Sequence, residues 1–158
     1  MSTASQLARR MEEVLLNGTW IANTNCKDQL AGLSWQLAIR PFQNLNTIAA
    51  LAQHIHYCVA GIKQVLEGGD LTIKDKYSFD FPPIQSDKDW QDFLTTFWSD
   101  ATDFIQLIKT LPEEKLAADF VKKEYGNYER NIDAIIEHSY YHLAQIVIIK
   151  KIIATEKK

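Results

Sequence analysis

Apolar residues recur at three- and four-residue steps in four stretches of the chain, the spacing of one face of an α-helix. The first predicts a helix from about Ser5 to Leu16, closed at Asn17-Gly18, where glycine can take the left-handed conformation that ends a helix. The second starts near Asn46, a good N-cap, and carries Ile48, Leu51, Ile55, Val59, Ile62 and Leu66 up to a stop at Gly68-Gly69. The third opens after Ser86 or Asp87, sets Trp90, Leu94, Phe97, Ala101, Phe104 and Ile108 on one face, and ends before Leu111-Pro112. The fourth and longest runs from about Tyr128 to Ile153, with Ile132, Ile135, Ile136, Leu143, Ile146 and Val147 as its apolar stripe.

The connections are rich in aromatic residues. Thr19 to Asn44 holds Trp20, Trp35, Pro41 and a short helix at Lys27 to Leu30, which reads as a packed connection. Asp70 to Ser86 contains Tyr77, Phe79, Phe81 and Pro82-Pro83; it is too aromatic to be disordered and too broken to be regular, so it is expected to cover one end of the core. Pro112-Glu113-Glu114 opens a short turn, and Asp119 to Tyr125 is β-compatible, but nothing reads as a strand. The expected fold is all-α: one domain over residues 1–158, a bundle of four helices with elaborated connections. Nearly half the residues are apolar, enough for a single core without small-scaffold staples.

Charge removes several classes of partner. The formal net charge is -3, with Lys and Arg scattered among Asp and Glu, so no basic field exists to gather nucleic acid or anionic lipid. Lys150, Lys151, Lys157 and Lys158 cluster near the C-terminus, where cations suit the last turn of a helix. The first residues, MSTASQLARRMEEVLL, lack the apolar core of a signal peptide, and no stretch approaches the roughly 18 apolar residues needed to span a bilayer. Cys26 and Cys58 form no CxxC pair, which suits a reducing compartment, so the cytoplasm is expected.

The histidines carry the chemistry. All four fall in two groups, His54 with His56 on the second helix and His138 with His142 on the fourth. Residues four apart project from one face of a helix on adjacent turns, so His138 and His142 can present their rings to one ion. Asn131, His138, His142, Gln145 and Ile149 share a strip bordering the apolar face, where polar groups need either a metal with supporting hydrogen bonds or a metal-free network. His54 shares its flank with Ala50, Cys58, Gly61 and Val65 and is expected to point inward. His56 shares its flank with Lys63 and Glu67 and is expected to be an ordinary surface histidine. Cys58, one turn beyond His54, would make a closed structural site if it ligated; three histidines alone leave one position open for water or substrate. His138-Ser139-Tyr140-Tyr141-His142 lacks the glutamate of an HExxH protease, and no nucleophile with a nearby base, phosphate-binding glycine loop or dinucleotide fingerprint is present.

The stretches NTIAALAQHIHY and IIEHSYYHLAQI resemble the DinB-like metalloprotein superfamily, the likeness running over nearly the whole chain; LEGGDLTIKDKYSFDFPPI between the second and third helices and YGNYERNIDAIIEH leading into the fourth resemble, within it, a subgroup of small bacterial proteins. The resemblance implies an up-down-down-up four-helix bundle, a homodimer, and a divalent metal ion held by His54, His138 and His142; three imidazoles accept zinc, nickel, iron or copper, of which zinc or nickel is expected. Similar members include metal-dependent thiol S-transferases acting with bacillithiol or mycothiol, and an isomerase using a cofactor of that class. The expected function is therefore that of a metal-dependent enzyme acting on small molecules, transferring a low-molecular-weight thiol co-substrate to an electrophile or acting as a hydrolase. The alternative is a non-catalytic, metal-stabilised bundle with a binding or stress-response role. The chain departs from the subgroup at His56 and Cys58, where Asn and Tyr are usual, and the cysteine bears on whether the site is open.

Overall fold

In the computed structural model, which describes residues 1–156, the chain is all-helical. Lys157 and Lys158, half of the expected C-terminal lysine cluster, lie outside the described residues. The helices are α1 (Thr3–Glu12, continued by a π-turn over Glu13–Asn17), α2 (Cys26–Leu30), α3 (Trp35–Ala38), α4 (Ile48–Leu66), α5 (Asp87–Lys109), α6 (Glu113–Ala117) and α7 (Tyr128–Thr155). The four long ones, α1, α4, α5 and α7, are those set by the apolar periodicity, and α2 coincides with the short helix expected in the first connection. No described helix is long and apolar enough to cross a membrane.

Local chemistry explains where these helices begin and end. Thr47, rather than Asn46, caps α4, its Oγ1 accepting from the Ala50 amide at 3.1 Å. Ser86 caps α5 and Asn127 caps α7 in the same way. At the end of α1 the expectation of a left-handed glycine fails: Gly18 is extended, at φ -95° and ψ 158°. Glycine is needed there because a Cβ would collide with the Glu13 side chain and backbone, over which the last wide turn closes. Residues 119–125 form no strand; Asp119 makes an isolated bridge to Asn127, and Lys123–Tyr125 is a single 3₁₀ turn.

Packing follows the apolar stripes. Trp90, Phe97, Phe104, Met11, Leu15, Ile55 and Ile108 are fully buried, each large side chain contributing on the order of 2–3 kcal/mol by leaving water. α4 packs between α5 and α7, and α1 packs against α5 and α7 from the other side. Across the α4–α7 seam, Ile48 neighbours Lys150 and Ile153, Leu51 neighbours Gln145 and Ile149, and Ile62 neighbours Asn131, so the two helices run antiparallel. Across the α4–α5 seam, His56 meets Phe93 and Phe97 while Lys63 meets Asp100, so those two run parallel.

The connections are tied to the bundle by specific polar contacts. Trp90 Nε1 donates to the Leu33 carbonyl at 2.9 Å, and Lys150 Nζ to the Gln29 carbonyl at 2.7 Å, which anchors the first connection. Residues 70–86 do not cap an end of the core as expected but lie along the flank of α4. Ile73 rests on Gly61, where a Cβ would strike it, and the Tyr57 hydroxyl accepts from the Lys74 amide at 2.9 Å. That placement brings Ser78 and Phe79 beside His54.

Candidate metal centre

His54 projects from the first half of α4 and is buried; His142 projects from the middle of α7 and is buried; His138, one turn earlier on α7, is half-buried. Because α4 and α7 run antiparallel at this level, the three rings converge, and one nitrogen from each lies within 4.8 Å of the others. His138 Nε2 is 2.9 Å from His54 Nε2 and 3.0 Å from His142 Nε2. The rings are arranged edge to face, His138 and His142 at 82° and His54 and His142 at 88°, so three imidazole edges meet at one point.

The outer nitrogens decide what the inner ones offer. His54 Nδ1–H donates to the Ser78 carbonyl at 2.8 Å, and His142 Nδ1–H donates to Gln145 Oε1 at 2.6 Å. Each bond fixes a tautomer whose Nε2 lone pair faces the cluster. A proton on His138 Nε2 reaches only one of the two facing lone pairs, and His138 Nδ1 is buried without a partner. A cation satisfies this donor set as no single proton does. A tetrahedral ion about 2.05 Å from each nitrogen keeps its ligands about 3.3 Å apart, a few tenths of an ångström wider than the two separations from His138 Nε2 and inside the 4.8 Å that bounds all three. The residues therefore fit a divalent ion, and His54, His138 and His142 are positioned to bind one.

Electrostatics agree with that reading. Burial first, then the neighbouring His142 and His54, push His138 down to about 4, and burial lowers His142 against the opposing bond from Gln145. Rings held neutral keep the lone pairs that ligation requires. The site is flanked by exposed aromatic rings: Phe79, 45% exposed, stacks on His54 at 4.2 Å, and Tyr141, 64% exposed, meets His142 edge-on at 4.9 Å.

Other residues singled out in the sequence fall elsewhere. Cys58 is not part of the three-nitrogen group; it lines a cavity of about 200 Å³ with Ile62, Asp75, Ser78 and Asn131, and burial, then Asp75, push its thiol up to about 11. Asn131 turns back to the Tyr125 and Asn127 carbonyls, both at 2.8 Å, so local backbone satisfies it without an ion. His56 is no ordinary surface histidine. It lies between α4 and α5 and donates through Nε2 to Asp100 Oδ2 at 2.6 Å, while Lys63, expected in solvent, bonds Asp100 and Glu67. The signal for this cluster was the complementary charge of Asp100 on the facing helix, which pattern on α4 alone does not display. Ser78 escaped sequence reasoning because its contribution is a backbone carbonyl, the same in every residue. Compared with models of known families, with curated proteins and with solved structures, the chain matches none.

Proposed function

We propose that the chain is a DinB-like metalloprotein in which His54, His138 and His142 hold one divalent ion, zinc or nickel, and that it transfers a low-molecular-weight thiol to a small electrophile. The observation that carries this reading is the convergence of the three imidazole nitrogens within 4.8 Å, with two lone pairs aimed inward by Ser78 and Gln145. Three protein ligands leave a tetrahedral ion one position for an exogenous group. A divalent ion lowers the pKa of a thiol held there and keeps it nucleophilic at neutral pH.

The chain's own side chains supply orientation and shelter. Ser78 and Gln145 hold the rings of His54 and His142, and Phe79 covers one face of His54 from water. Phe79 and Tyr141 together form an aromatic rim for the apolar part of an electrophile. Cys58, outside the cluster and with a raised pKa, leaves the exogenous position to the co-substrate. Two free cysteines accord with a cytoplasmic setting, and exposed apolar residues such as Ile148 on α7 offer a surface for a homodimer.

Element analysis of the purified protein, followed by cobalt substitution and titration with a small thiol, tests the proposal. One ion per chain and a cobalt spectrum that shifts on thiol addition are expected. A spectrum indifferent to thiol removes the transferase reading and leaves a metal-stabilised bundle with a binding role. Absence of any tightly held ion removes both.

A further inference from the structure

A second cluster lies on the other flank of α4 and stands independently of the metal reading. His56 and Asp100 are mostly buried between α4 and α5, their side chains 19% and 23% exposed. Asp100 spends both carboxylate oxygens within the protein, Oδ2 on His56 Nε2–H at 2.6 Å and Oδ1 on Lys63 Nζ at 3.3 Å. The bond to Asp100 places a ring proton on Nε2, and in that tautomer Nδ1 presents a lone pair. Among the described residues that atom has no hydrogen-bond partner, yet it is not one of the sealed, unpaired polar atoms, as His138 Nδ1 is. His56 also forms part of the wall of a cavity of about 300 Å³ between α4, α5 and residues 70–86.

The remaining wall is largely apolar and aromatic. Tyr57, Phe81 and Phe93 line it, with Tyr57 and Phe81 edge to face at 6.0 Å and Phe93 edge-on to His56 at 5.7 Å. Gln53 Nε2 donates to the Pro82 carbonyl at 3.2 Å and holds one side of the opening in place. We propose that this cavity binds a small, neutral, planar aromatic molecule bearing one hydrogen-bond donor, of the phenol class, with the donor directed to His56 Nδ1. The volume sits at the small end of ligand sites, and aromatic walls with one fixed polar atom are the composition such sites use. A ring buries its faces on Phe81 and Phe93, while its hydroxyl satisfies the acceptor that Asp100 has oriented. A carboxylate would set its own lone pairs against Nδ1 and lie near Asp100. A cation finds no carboxylate among the lining residues.

The test titrates metal-free protein with p-cresol, with toluene and with benzoate, reading the backbone amide shifts of Ala60 and Gln64. The expected result is saturable p-cresol binding about tenfold tighter than toluene, the worth of one hydrogen bond, and weaker binding of benzoate. His56→Phe keeps the ring and removes the acceptor, so p-cresol should fall to the toluene level. Ala60→Trp, filling the cavity, should abolish binding of both. His138→Ala should change neither, which separates this site from adventitious binding at the three histidines. Equal affinities for p-cresol and toluene in the native protein, a comparison that needs no variant, would overturn the proposal. A p-cresol preference that survives His56→Phe, or shifts that bypass Ala60 and Gln64, would do the same.

Discussion

Gln145 Oε1 accepts the Nδ1–H of His142 at 2.6 Å from one turn further along the same helix, so this candidate ligand carries its orienting group on its own element. Groups that hold a ligating imidazole by its outer nitrogen typically support metal affinity by about 10- to 100-fold. Gln145→Leu should therefore weaken binding of a divalent ion by that factor, measured by competition with a chromogenic chelator. Unaltered affinity would detach Gln145 from the site.

Removing a ligand is more severe than removing its support. His142→Ala and His54→Ala should each abolish tight metal binding, whereas His56→Ala, whose ring bonds Asp100 on the opposite flank, should retain one ion per chain. Element analysis after dialysis reads the difference, and equal retention in all three variants would mean the site is misassigned.

The metal-free protein should lose stability in mild acid. His138 is held down to about 4 and His142 is lowered too, while an unfolded chain protonates both near the ordinary histidine value of about 6.5. Between those limits the unfolded state binds more protons, so stability is full above about pH 6.5 and falls as pH drops toward 4. Thermal midpoints of chelator-treated protein should show the decline, and His138→Gln should flatten part of it. Parallel profiles for the two proteins would contradict the assignment.

Neither thiol should react promptly in the folded protein. Burial pushes Cys26 up to about 12, and burial with Asp75 pushes Cys58 up to about 11. A disulfide reagent at pH 8 should label both slowly, Cys58 ahead of Cys26 because it faces a cavity, and both at once in denaturant. Immediate labelling of one thiol in native buffer would be the adverse result.

Core and rim should respond differently to truncation. Phe104 is fully buried, and Phe104→Ala should lower unfolding free energy by about 3–5 kcal/mol. Tyr141 is 64% exposed, and Tyr141→Ala should change it by less than about 0.5 kcal/mol. Urea denaturation of the two variants makes the comparison, and similar midpoints would mean the buried stripe is misread.

The long helices were readable because burial imposes a 3.6-residue rhythm that residues such as Ile55, Phe97 and Ile146 cannot hide. The i, i+4 placement of His138 and His142 follows from the same rhythm, and the inward turn of His54 from its uncharged neighbours Ala50, Cys58, Gly61 and Val65. What it could not convey was anything that depends on a neighbour from elsewhere in the chain. His56 looked solvent-facing because its companions on α4 are charged, and only Asp100 from α5 shows that those charges are paired. Gly18 looked like a left-handed stop, yet its reason is the bulk of Glu13 beneath it. Ser78 and Phe79 were placed in a covering segment, and their contact with His54 depends on a path over α4 that no local pattern encodes.

The two buried imidazoles are moored to parts of the chain with unequal resistance to opening. His142 is tied to α7 itself, but His54 is tied to the connection between α4 and α5, just past its 3₁₀ turn at Asp75–Tyr77, through the Ser78 carbonyl and the ring of Phe79. Such a stretch can peel away at a fraction of the free energy that separates the folded bundle from the unfolded one. Residence time of anything held among the three histidines is then governed by that partial release, and exchange protection around residue 78, rather than the melting temperature, is the quantity that should track it.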